Sequence, residues 1–178
     1  MLVPTWVSLF GISFTLDQIS FSEYGDWYSL SYLLLISLPI GIAVGFAVWL
    51  LYGVLFWGVG KLFGGQATWQ EMQGAVAWAM IPYIAKLILW YLRALFFQEE
   101  TFTLYTPTIE NSLLLLFLYF FFLVLDVLFT LWFYGILFKS VAEAHRFSFW
   151  KGAPVVLISI AVLWVALKYG ANLVIMPL

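Results

Sequence analysis

From Ser29 to Gly60 the chain carries no charged side chain, and the apolar run continues to Leu62. An α-helix needs roughly 20 residues to cross a bilayer, so this stretch is long enough to span with tilt or overhang. In lipid every backbone N–H and C=O must be paired inside the segment, which leaves helix as the form such a run can take. The remainder is of the same kind: 65% of the 178 residues are hydrophobic and 9% are charged, with a mean hydropathy of +1.05. Soluble domains carry about 25% charged residues, so this chain has too few polar groups to cover a globular surface.

The apolar segments fall at about 2–16, 30–62, 74–97, 112–138 and 152–176. They predict one all-α domain over residues 1–178, a polytopic transmembrane helix bundle of four long spans plus a short N-terminal hydrophobic segment. Residues 2–16 include Pro4, Ser8, Gly11, Ser13 and Thr15 and follow no basic stretch. A cleavable signal peptide is therefore not expected; a short first helix and a re-entrant segment both fit. Asp17 to Tyr28, with Asp17, Glu23 and Asp26, reads as a loop.

Basic and acidic residues separate by side. Lys61, Lys139, Arg146 and Lys151 fall in two connections, 61–73 and 139–151, that lie two spans apart and hence on one side. The other side holds Asp17, Glu23, Asp26, Glu99, Glu100 and Glu110 with no loop lysine or arginine. The positive-inside rule puts the basic connections in the cytoplasm and the 98–111 connection and carboxyl terminus outside. Trp6, Trp27, Trp57, Trp69 and Trp150 fall near span ends, as in an aromatic belt.

Several local signals set helix boundaries and contacts. Pro39 is expected to kink its span. Gly41 and Gly45 form a GxxxG pair that lets another backbone approach, either within the chain or from a second copy. Gly64-Gly65 ends that span, and Thr68 with Glu71 forms a capping-box pattern for the next helix.

Function classes are narrowed by what is missing. A net charge of −2 without a basic patch points away from nucleic acid. The absence of cysteine excludes disulfides, thiolate metal sites and a cysteine nucleophile. The single histidine, His145, lies beside Arg146 and reads as a solvated, headgroup-level residue with no second ligand for a metal. Neither a nucleophile elbow nor a phosphate loop occurs. The expectation is a non-enzymatic protein without cofactor, with the lipid bilayer, a second copy or other membrane proteins as partners.

The residues that invite a functional reading are charges inside the spans. Lys86 lies near the middle of 74–97 and Asp126 near the middle of 112–138. Consecutive helices run antiparallel, so the two can meet at one depth. Alone, each costs about 2.5 to 3.5 kcal/mol at a helix centre on insertion scales. Ala75, Ala79, Pro82, Tyr83, Lys86, Trp90 and Arg93 recur at three- and four-residue steps on one face, and Pro82 leaves the Trp78 carbonyl without its helical donor. Asp126 shares its face with Tyr119, Phe122, Thr130 and Phe133. Lys168 and Asn172 form a polar pair on the last span, Lys168 and Arg93 being placed to snorkel outward. Three readings stay open: an ion pair that sets helix register, a polar cavity for a proton, an ion or an anionic headgroup drawn by Lys86 and Lys168, or two charges that do not meet at all. Tight packing there favours a scaffold; a cavity favours transport.

Two stretches, GKLFGGQATWQEMQGAVAWAMIPYIAKLI and WFYGILFKSVAEAHRFSFWKGAPVVLISIAVL, resemble the bacterial members of the Yip family over roughly residues 30–178. The resemblance rests on Gly64-Gly65, on Pro82 with Tyr83 near the centre of a span, and on the turn Val141-Ala142-Glu143-Ala144. It implies a five-helix membrane bundle with a cytoplasmic amino terminus and no enzymatic activity, in a prokaryotic inner membrane. Eukaryotic members bind Rab GTPases and act in vesicle traffic. This chain has no counterpart of their cytoplasmic amino-terminal domain, which counts against Rab binding.

Overall fold

The computed structural model describes the backbone of residues 2–175 and the side chains of residues 3–169 other than Gly25 and Leu167. The Asn172 side chain, expected beside Lys168, and the end of the last segment at Met176 lie outside the described residues. The elements are α1 (Leu2–Ile19), α2 (Tyr24–Trp27), α3 (Leu30–Leu62), α4 (Trp69–Ala79), α5 (Ile81–Phe97), a 3-10 turn (Gln98–Phe102), α6 (Pro107–Glu110), α7 (Leu113–Ala144) and α8 (Phe149–Ile175). Among the described residues there is no strand. Four stretches are long and apolar enough to cross a membrane: α3, α4 with α5, α7, and α8. The protein is an all-α helical bundle.

α1 is the short first helix, and it runs past Leu16 to include Asp17, which the sequence placed in a loop. The extra turn is held because the Ser20 amide donates to the Leu16 carbonyl at 3.0 Å and because Asp17 has buried partners. α1 packs along α3 through a seam of small residues. A Cβ at Gly11 would fall on the Gly41 carbonyl oxygen, and one at Gly45 on the Val7 carbonyl oxygen. Gly41 and Gly45 therefore face α1. Two apolar surfaces in lipid gain little from the hydrophobic effect, so van der Waals contact at this short separation is what binds them.

α4 starts at its cap, ahead of the apolar run. Thr68 Oγ1 accepts from the Glu71 amide at 3.2 Å, and the Glu71 carboxylate accepts from the Thr68 amide at 2.7 Å. These hydrogen bonds hold the Glu71 carboxyl below its ordinary value of 4.5. A lowered folded-state value contributes stability above the unfolded value, lost as pH falls through the folded one. Thr68→Ala is expected to cost about 1 kcal/mol and to weaken this acid-limb dependence without abolishing it, because the backbone amide at 68 still donates to the Glu71 carboxylate, checked by unfolding in micelles between pH 3 and 6.

The single 74–97 span of the sequence reading is broken at Met80. Pro82 cannot donate to the Trp78 carbonyl, so α4 closes at Ala79 and α5 restarts with proline in its first turn. α7 and α8 return antiparallel. Phe117, Phe120, Val124, Leu128 and Leu131 line an exposed stripe of α7, the side left to lipid. Phe122, Phe133, Leu137 and Val141 line its buried face.

At the basic end two Schellman turns brace each other. Gly64, at φ 81°, lets the Gly65 amide donate to the Gly60 carbonyl at 2.8 Å. Arg146, at φ 58°, does the same for the Phe147 amide and the Ala142 carbonyl at 2.7 Å. His145 joins them and is not solvated: it is 1% exposed. Its Nε2 donates to the Phe56 carbonyl at 3.0 Å. The ring occupies the space where a Cβ of Gly60 or Gly65 would stand. The neighbours Glu143 and Arg146 suggested water, but the glycines have hollowed a seat for the ring.

Burial, with the charge of Lys61, pushes the His145 imidazole below its ordinary 6.5. The unfolded chain then takes up a proton first as pH falls, so stability is lost on acidification below about 6.5. His145→Gln should flatten the unfolding midpoint between pH 7.5 and 5.5, where the native chain's midpoint falls.

Candidate intramembrane site

α1 meets α5 through a second face. Ser13, Asp17 and Ser20 follow one another at helical spacing, opposite Tyr83, Lys86 and Trp90 of α5. Ser13 Oγ donates to the Tyr83 carbonyl at 3.0 Å, and Trp90 Nε1 donates to Ser20 Oγ at 2.9 Å. Between these rungs the Tyr83 hydroxyl donates to Asp17 Oδ2 at 2.7 Å, and Lys86 Nζ donates to the same oxygen.

Lys86 is 2% exposed and is satisfied on every side. Besides Asp17 it reaches Thr130 Oγ1 at 3.4 Å and lies 3.1 Å from Asp126 Oδ1. Its ammonium also stands 4.2 Å from the centre of the Tyr83 ring, a cation–π contact. Arg93 does not snorkel. It is 7% exposed, with Nη2 donating to the Phe122 carbonyl at 3.1 Å and lying 3.2 Å from Asp126 Oδ1. The carbonyl and the carboxylate give the guanidinium partners within the bundle, so it has no reason to reach outward.

The group is thus two carboxylates and two cations drawn from three helices, formally neutral. The sequence reading brought Lys86 and Asp126 together, with Tyr83 and Pro82 on the same helix. It missed Asp17 and the inward turn of Arg93. The recurrence of Ser13, Asp17 and Ser20 at helical steps was the signal for Asp17. Lys168 takes no part: it is exposed on α8, its Nζ 4.9 Å from the centre of the Trp164 ring. Gly64 and Gly65 lie at the basic end, remote from the charges in sequence and in the bundle.

The charges line a pocket of about 350 Å³. α1 and α7 each pack on α5 but scarcely touch each other, so the pocket is a lateral cleft with α5 as its floor. Gln18 of α1 and Leu123 and Val127 of α7 line it, and the latter two are exposed to lipid. Towards the basic end the interior is filled by Phe10, Met80, Phe133 and Leu137, each no more than 4% exposed. The cleft is open to the side and blind below.

This fold, with charges gathered between apolar spans, defines a polytopic α-helical integral membrane protein. The Yip1 domain family matches residues 1–169, and the chain belongs to that family. No curated protein and no solved structure matches it.

Proposed function

We propose that this Yip-family protein is a non-enzymatic, lipid-organising scaffold that holds a phospholipid by its headgroup in the cleft between α1 and α7. It sits in a prokaryotic cell membrane with the basic end in the cytoplasm, on the charge distribution of the loops. The observation that carries the reading is the sideways opening of a charged cleft onto lipid. A pair that served register alone needs no cavity, and a conduit needs a continuation that the packed Phe10–Phe133 layer does not leave. The reading is tested by native mass spectrometry after mild delipidation. Leu123→Trp, which fills the mouth without touching a charge, should strip retained phospholipid; unchanged retention contradicts the reading.

A second reading, a small transporter for protons, ions or anionic lipid, is favoured by the cavity itself, the feature that the sequence tied to transport, and by Asp126, which keeps an oxygen open to the cleft. Flux through proteoliposomes that Asp126→Asn abolishes would establish it in place of the first.

A further inference from the structure

The cleft's own groups select among headgroups. Of the four carboxylate oxygens, Asp17 Oδ2 is taken by Tyr83 and Lys86, and Asp126 Oδ1 lies buried against Lys86 and Arg93. The other two, Asp17 Oδ1 and Asp126 Oδ2, accept no hydrogen bond among the described residues and are not among the sealed polar atoms. One belongs to α1 and the other to α7, on the two walls of the same cleft.

The cations are placed differently. Lys86 donates to Asp17 Oδ2 and Thr130 Oγ1 and stands 3.1 Å from Asp126 Oδ1 as an ion pair. Arg93 uses Nη2, while its Nε and Nη1 make no hydrogen bond among the described residues. Gln18 is exposed, its amide equally unused. What the cleft offers is two carboxylate oxygens and a few N–H donors, from a cluster already neutral before anything binds.

Resting on the lipid-holding reading, we infer that the cleft selects a phospholipid whose headgroup carries a primary ammonium. Its N–H groups donate to Asp17 Oδ1 and Asp126 Oδ2, and Arg93 with Gln18 meets the phosphate. A quaternary ammonium has the charge and no N–H to donate. A purely anionic headgroup brings negative charge against two open carboxylate oxygens, while the nearest lysine is already ion-paired with both aspartates. This reverses the attraction of an anionic headgroup that Lys86 and Lys168 suggested from the sequence.

The test is competition among phosphatidylethanolamine, phosphatidylcholine and phosphatidylglycerol of matched acyl chains, read by native mass spectrometry of the full chain. A hydrogen bond to a charged group contributes about 1.5 to 3 kcal/mol, so the ethanolamine lipid is expected to outcompete choline about tenfold or more. Asp126→Asn should erase the preference; if that variant unfolds, the headgroup comparison on the native chain decides alone. Equal retention of the ethanolamine and choline lipids, or preference for the glycerol lipid, overturns the inference and leaves the lipid-holding reading standing. Lipid retention that Leu123→Trp does not change overturns both. Free ethanolamine in large excess separates the two sources of the ammonium: it should leave the bound lipid in place, and displacement would reassign the site to a soluble amine.

Discussion

Lys86→Met is expected to destabilise the bundle by about 3 to 5 kcal/mol, the range for stranding one side of a buried ion pair. The loss belongs at the upper end because two carboxylates, not one, lose their shared cation. Arg93 remains near Asp126 but is not within reach of Asp17 in the described contacts, so Asp17 would be left with the Tyr83 hydroxyl alone. Unfolding in micelles, followed by tryptophan fluorescence, measures it.

The same arrangement predicts how a charge exchange behaves. Were Lys86 and Asp126 an isolated pair, Lys86→Asp combined with Asp126→Lys would restore what each single change removes. Here the exchange sets a carboxylate against Asp17 and an ammonium against Arg93. The double variant should be no more stable than the worse single one. Recovery of half or more of the loss would show a simple pair and contradict the four-membered cluster.

Gly11→Leu is the second large effect, expected at about 3 kcal/mol or more, because overpacking alone costs 1 to 3 and here the obstacle is backbone. The new side chain would start on the Gly41 carbonyl, and neither helix can yield by a rotamer change. α1 must move away, and Asp17 leaves Lys86 with it. The consequence is non-additivity: Gly11→Leu with Asp17→Asn should be scarcely less stable than Gly11→Leu alone. Full additivity would mean that the glycine seam and the polar face of α1 act independently.

The architecture could be read from the sequence because spans announce themselves by long charge-free runs, and their loops by polar residues and caps. The Lys86–Asp126 proximity followed from depth and antiparallel order. What escaped was decided by packing partners far along the chain. Asp17 looked like the start of a loop because Glu23 and Asp26 follow it and the apolar run stops at Leu16. Only the rungs to Tyr83 and Trp90 draw it into the helix. Arg93 lies one turn from the end of α5, where snorkelling is the usual outcome, until the Phe122 carbonyl and Asp126 supply partners inside. His145 lay among charged neighbours, and its burial depends on glycines some eighty residues earlier. Short-range pattern carries no record of such contacts.

The central claim is that one membrane-embedded ammonium is bound at once by carboxylates from the first and seventh helices. The sequence holds three aspartates, Asp17, Asp26 and Asp126, and five lysines, Lys61, Lys86, Lys139, Lys151 and Lys168. Among the described residues Lys86 is the lysine paired with aspartate, and Lys139 pairs with Glu143. Solid-state NMR of protein in bilayers, with nitrogen-15 in lysine side chains and carbon-13 in aspartate carboxyls, therefore reads the site directly. One lysine signal should be dephased by aspartate carbons, and the dephasing should weaken but persist in Asp17→Asn. No dephased lysine signal, or a signal that Asp17→Asn silences completely, would contradict the cluster.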